Sequence, residues 1–236
     1  MSDCYSSGPT DIPFQLINSV PIQVCQTVWV DDPVPPGTGG GSTSNVINDV
    51  INNLTSPCFI NVLHNVNSGT LQNQVSKILK DIFNQTDKLN VRFYEDKLDD
   101  KIDGDTNASP VVSNGVTTLN IDITLNNKLI TTFHSSQEYI AATILHEVLH
   151  AYFRAKGSNP LVDHNDMGLF YIDNMAGGIK EVFPGISDDD ARALSWGGVQ
   201  ESYAWAQLIK NSPTNANKII DTNQKYRTSA SGTKCN

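Results

Sequence analysis

His146-Glu147-Val148-Leu149-His150 is the segment of this chain whose residue types and spacing carry chemistry. On a helix, two histidines four apart project from one face about one turn from each other, a separation that suits two ligands of a zinc ion. Glu147 follows the first of them. A carboxylate in that place can reach a water activated by the metal without binding the metal itself, which is what a general base requires. The chain holds five histidines and five glutamates, so three such residues rarely fall into this pattern by accident. The plain alternative is a polar strip on a core helix, with both imidazoles satisfied by their neighbours.

Tetrahedral zinc with one open position needs a third protein ligand. Phe153 and Lys156 stand where the metzincin continuation places its glycine and third histidine, which excludes that class. His164 is the expected third ligand, across a loop long enough to turn back toward His150. Glu201 is the rival, followed by Glu181, Asp163 and Asp166, each of which also reads as a surface or capping carboxylate.

Ser135 or Ser136 can cap a helix that carries Ile140, Ile144, Leu145, Val148, Leu149, Tyr152 and Phe153 on a broad apolar face and stops at Gly157. Upstream, Leu71 to Phe83 reads as a core helix and Leu89 to Tyr94 as a strand. Val116 to Leu125 alternates like a half-buried strand, and Asn126-Asn127 turns the chain toward a further strand, Lys128 to Phe133. Downstream, the pattern predicts helices over Asn165 to Ala176, from a Ser187 cap through Leu194, over Val199 to Lys210, and over Asn215 to Tyr226. Trp196-Gly197-Gly198 and Trp205 either pack in the core or wall the cleft, with Glu201 or Tyr203 turned toward it.

Asp96, Asp99, Asp100, Asp103 and Asp105 invite a calcium reading, but Lys101 and Pro110 occupy positions where an EF-hand needs ligands, so a solvated acidic loop is expected. The net charge of −9 and a pI near 4.8 disfavour phosphate backbones, hence no nucleic-acid partner is expected. No apolar run approaches the ~20 residues of a membrane span. The first Lys or Arg is Lys77, so Met1 to Val30 lacks the basic region of a secretory signal. Residues 33–43 are rich in Pro, Gly, Ser and Thr and read as a linker, dividing an appendage with its linker (residues 1–43) from a domain (residues 44–236). Of the three pairings open to Cys4, Cys25, Cys58 and Cys235, the favoured one is Cys4–Cys25 with Cys58–Cys235.

The run Ile144-Leu145-His146-Glu147-Val148-Leu149-His150-Ala151-Tyr152-Phe153, with His164 and Phe170, resembles the SprT-like zinc metalloproteases, over about residues 69–175. Asn165 replaces the glycine that commonly follows that family's third histidine. The resemblance implies an α+β zincin-like fold, with a small sheet packed on the metal helix and a helical C-terminal part. It also implies a Zn2+ held by His146, His150 and His164, with Glu147 as the base for hydrolysis of a protein or peptide substrate. The DNA role of some members is not implied, since the chain is acidic and lacks their basic or zinc-ribbon segments. An extended peptide is expected to add to a strand edge near residues 117–125, with Tyr152, Tyr171 or Tyr203 as oxyanion donors. A secreted or bacterial cell-envelope location suits the paired cysteines. The competing reading is a zincin-derived binding or adhesion module without catalysis.

Overall fold

The apolar alternation along the chain builds a four-stranded sheet of β1 (Val50–Asn52), β2 (Leu89–Asp96), β3 (Gly104–Ser113) and β4 (Val116–Asn126), in the order β1-β2-β4-β3. These are seen in a computed structural model that describes residues 50–67, 89–113, 115–157 and 160–235. The expected helix over Leu71 to Phe83, the linker, the appendage and the Cys4–Cys25 pair lie outside the described residues. The described elements belong to one unit, Val46–Asn236.

β1, β2 and β4 are parallel, with Val91 opposite Ile121 and Phe93 opposite Ile123. These four side chains are fully buried, as is Leu125. The intervening positions pair Asn90 with Asn120 and Arg92 with Asp122 on the other face, as a two-residue period requires. β3 runs antiparallel to β4 and forms the end of the sheet. That strand has no counterpart in the sequence reading, because it is exposed along most of its length and so shows no alternation. Its Pro110 is tolerated because an edge strand can spare a backbone donor. The expected strand edge at residues 117–125 is therefore corrected: β4 is paired on both sides, and among the described residues the end strand beside it is β3.

Lys128 to Phe133 is not a strand. The Asn127 carbonyl accepts from the amides of Ile130 and Thr131, making a short helix α2 (Lys128–Thr131) that drops Leu129 into the core. Asn126, fully buried, holds this corner: its amide donates to the carbonyls of Asp99 and Ile102, and its oxygen accepts from the amide of Lys128. The acidic stretch is, as expected, a largely exposed loop, tied down at two points. Asp99 to Asp103 form a turn, Asp100 pairs with Lys128, Asp103 pairs with Arg227, and Gly104 and Asp105 open β3.

Helix α1 (Pro57–Val66) buries Phe59, Val62, Leu63 and Val66, and α3 (Gln137–Ala155) packs against α1, β3 and β4. The Ser136 hydroxyl caps α3 by accepting from the Tyr139 amide, and Gly157 (φ +75°) follows its end. The helix expected over Asn165 to Ala176 is longer. It comprises α4 (Pro160–Asp166), a π-helical turn (Met167–Tyr171) and α5 (Ile172–Val182). Then come α6 (Asp188–Leu194), α7 (Tyr203–Asn211) and α8 (Pro213–Arg227). α7 starts four residues later than its apolar pattern suggests, because Ser202 is its cap and Gly198 (φ +80°) turns the chain just before.

After α8 the chain returns to the start of α3, where Gln137 N–H donates to Thr233 O and a Cys58–Cys235 disulfide ties the tail to α1. The fold is thus mixed α+β, with a small sheet before a helical second half. No helix among the described residues is long and apolar enough to cross a membrane.

Candidate metal centre

α3 is held rigidly by Ile140, Ile144, Leu145, Val148 and Leu149, all fully buried, and this fixes the direction of its histidine face. His146 and His150 lie on successive turns with their Nε2 atoms 3.1 Å apart. α4 brings His164 to the same point, its Nε2 3.0 Å from that of His150. Among the described residues this is the one cluster of His, Cys, Asp or Glu that could hold a metal ion.

The outer ring nitrogens decide what the inner ones offer. Asp163, fully buried, lies 3.1 Å from His150 Nδ1 and is pinned by the Arg154 guanidinium. A carboxylate there only accepts, so the proton stays on Nδ1 and Nε2 presents a lone pair. Glu201 does the same to His164 from the other side. Two lone pairs are therefore aimed at each other across 3.0 Å, which is repulsive until a cation lies between them. The donor set fits a metal on this ground. Burial pushes His146 well below the ordinary imidazole range, and the two neighbouring histidines add to the effect. Burial lowers His150 as well, against an upward pull from Asp163. Both shifts favour the neutral form that binds metals.

Glu147 lines the same cleft and is 4% exposed. Burial pushes its carboxyl up to about 7, opposed by the Thr106 hydroxyl, which donates to Oε2 at 2.7 Å. Gly104 of β3 passes so close that a Cβ there would sit 2.7 Å from Glu147 Oε1. On the opposite wall, a Cβ at Gly198 would meet His146 Cε1 at 2.6 Å. The cleft has a volume of about 770 Å³ and includes Arg154, Lys101, Asp105 and Gln200 in its walls.

Of the residues weighed as third ligand, His164 joins the other two imidazoles. Asp163 and Glu201 stand behind imidazoles instead, and neither Glu181 nor Asp166 joins the cluster. The two tryptophans pack on each other, 5.5 Å between centroids and nearly buried, while Gly197 and Gly198 between them line the cleft. Tyr152, Tyr171 and Tyr203 do not line it, which corrects their expected oxyanion role. Sequence reasoning missed Thr106 and Arg154. Their only signal is nearness in space to Glu147 and Asp163.

Fold and site together define an α+β domain with a three-histidine centre, half enclosed by an edge strand and a glycine turn. No protein-family model matches the chain, and no curated protein or solved structure is significantly similar to it.

Proposed function

We propose that the chain is a zinc-dependent peptidase, as the resemblance of His146 to His164 implies. The observation that carries this reading is the convergence of three imidazole Nε2 atoms, those of His150 and His164 bearing inward lone pairs, beside a buried carboxylate that has a single hydroxyl donor. His146, His150 and His164 would hold the ion. When bound, zinc supplies Lewis acidity toward a carbonyl oxygen and makes a water more acidic.

The protein's own groups do the rest. Asp163 and Glu201 hold the Nδ1 protons of His150 and His164 and so keep both rings turned inward, while Arg154 fixes Asp163. Glu147 takes a proton from the attacking water and returns it to the leaving amine, a task for which a carboxyl drawn toward neutrality is suited. Thr106 aims that carboxylate. An extended substrate adds to the outer edge of β3, which runs past Glu147 and has no further strand beside it among the described residues. The Cys58–Cys235 disulfide supports a secreted or envelope location, where oxidising conditions preserve it.

The test is metal content and cleavage of a denatured protein mixture, for the wild type and Glu147→Gln. The proposal expects bound zinc in both and products only from the wild type. Zinc in both with no cleavage by either supports the non-catalytic module instead.

A further inference from the structure

We propose that Arg154 is the specificity residue of a subsite that receives a carboxylate of the peptide substrate, from an acidic side chain or from the C-terminus. The inference rests on the peptidase reading and adds a substrate feature to it. Arg154 follows His146 and His150 at the same four-residue interval, so α3 carries its cleft-facing stripe one turn beyond the metal ligands. Its side chain stands in the cleft wall, 18% exposed, and a single bond, from Nη1 to Asp163 Oδ2, holds it.

That bond uses only part of a fork. A guanidinium commonly grips a carboxylate with two parallel bonds, yet Asp163 Oδ1 is buried without a donor. Nε and Nη2 of Arg154 have no partner among the described residues, and neither belongs to the buried atoms that lack one. They therefore open on the cleft that Arg154 lines. No anion of the wall satisfies them. Asp103 is paired with Arg227, Asp105 accepts from the Asn107 amide, Glu201 stands behind His164, and Glu147 accepts from Thr106.

The chemistry of the ligand follows. A guanidinium stays charged at every working pH, and its unused N–H edge matches the two oxygens of a carboxylate. Burial dominates the titration of Glu147 and His150, and the Arg154 charge acts on each, so this cation lies within electrostatic reach of the base and a ligand. Lys101, the other cation of the wall, lies in the turn before β3, near Asp103 and hence toward the Tyr139 end of α3. One helical turn is about 5.4 Å and an extended chain advances about 3.3 Å per residue, which puts the carboxylate within about two residues of the scissile bond.

Zinc-loaded wild type, Arg154→Gln, Arg154→Lys and Lys101→Ala are compared, once thermal melting and zinc analysis have shown which are folded and loaded. Arg154→Lys keeps a charge and a donor for Asp163 but loses the fork, so it decides where Arg154→Gln does not fold. Cleavage sites in the denatured protein mixture are sequenced. Values of kcat/KM are then measured on capped alanine peptides with Glu or Gln at each position within two residues of the cut, and on an alanine peptide as free acid or C-terminal amide. The readout is the ratio within each pair, because damage to the support of His150 slows both members alike.

The wild type is expected to favour the carboxylate about thirtyfold in one kind of pair, with the ratio below about threefold in Arg154→Gln, about tenfold in Arg154→Lys and unchanged in Lys101→Ala. A side-chain source shows as Asp or Glu enriched at one fixed position beside the cut. A C-terminal source shows as release of single residues or dipeptides from the chain end. A wild-type ratio near one in every pair, a ratio that survives in the folded Arg154 variants, or its loss in Lys101→Ala overturns the role of Arg154 and leaves the peptidase reading intact. Should the wild type cut nothing, the peptidase reading fails. Calorimetric binding of acetyl-Ala-Glu-Ala-amide against its Gln counterpart, and of acetyl-trialanine acid against its amide, to wild type and Arg154→Lys then decides the inference alone. A tenfold preference for either carboxylate that falls in the variant supports it, and equal or undetectable binding overturns it.

Discussion

Helix α3 carries two buried glutamates, Glu138 in its first turn and Glu147 in its middle, and they have opposite surroundings. Glu138, 6% exposed, lies in the first turn and accepts from the Thr233 amide at 2.8 and 3.1 Å and from the Thr233 hydroxyl at 2.7 Å. Gly232 (φ +85°) lets the C-terminal tail lie directly over it, where a Cβ would be 2.5 Å from Oε2. Glu147, 4% exposed, also lies under a glycine, Gly104, but receives one hydroxyl donor and sits deeper along the helix. Equal burial thus has two consequences. Glu138, with three donor contacts from Thr233, ties the C-terminal tail to the helix, whereas burial with a single hydroxyl donor pushes Glu147 toward protonation. The first is a clamp, and the second is poised to exchange a proton.

The comparison breaks most visibly in catalysis. Glu147→Gln should lower kcat by roughly 10²–10⁴-fold with metal retained, since a positioned base contributes that much. Glu138→Gln, assayed where it is folded, should stay within about threefold of the wild type. Equal losses would show that both carboxylates serve the fold.

Stability should reverse the order. Glu138→Ala deletes the acceptor for Thr233 and is expected to lower the unfolding free energy by about 4 kcal/mol in urea melts. A loss under about 1 kcal/mol would mean that the tail contributes little there. In metal-free protein, Glu147 keeps its proton up to about 7, against an ordinary value of 4.5 when unfolded. The folded state therefore binds more protons between those values, and stability falls as pH rises through that window. Relative to Glu147→Gln the loss should reach roughly 3 kcal/mol by pH 8. A pH-independent difference would remove the claim that burial governs this carboxyl.

The smallest effect belongs to Thr106→Val. Its hydroxyl favours the ionised form of Glu147, so removing it should raise that group's pKa further and move the acid limb of kcat/KM upward by about one unit. No movement would reduce Thr106 to a packing residue.

Much of α3 was legible because helices are local. The periodicity of Ile140 to Phe153, the serine cap and the stop at Gly157 follow from bonds within the helix itself. β2 and β4 were legible because one face of each is buried. β3 was not, since an edge strand with exposed residues leaves no alternation to read. The turn at Asn126 does not show in the local pattern because its bonds go to carbonyls more than twenty residues upstream. Asp163 and Glu201 were weighed as ligands. In a sequence, a carboxylate on a metal and one on the far nitrogen of a metal-facing histidine look the same.

The sequence alone determined that His146 and His150 share a face with Glu147 at its side, because the helical repeat is set by backbone geometry. Only the tertiary structure decided that His164 meets them, which nitrogen each ring turns inward, and which of two buried glutamates is saturated. Those outcomes depend on Thr106, Asp163, Glu201 and Thr233, brought in from other elements. Burial and donor supply arise from the packed molecule, and no local stretch of chain contains them.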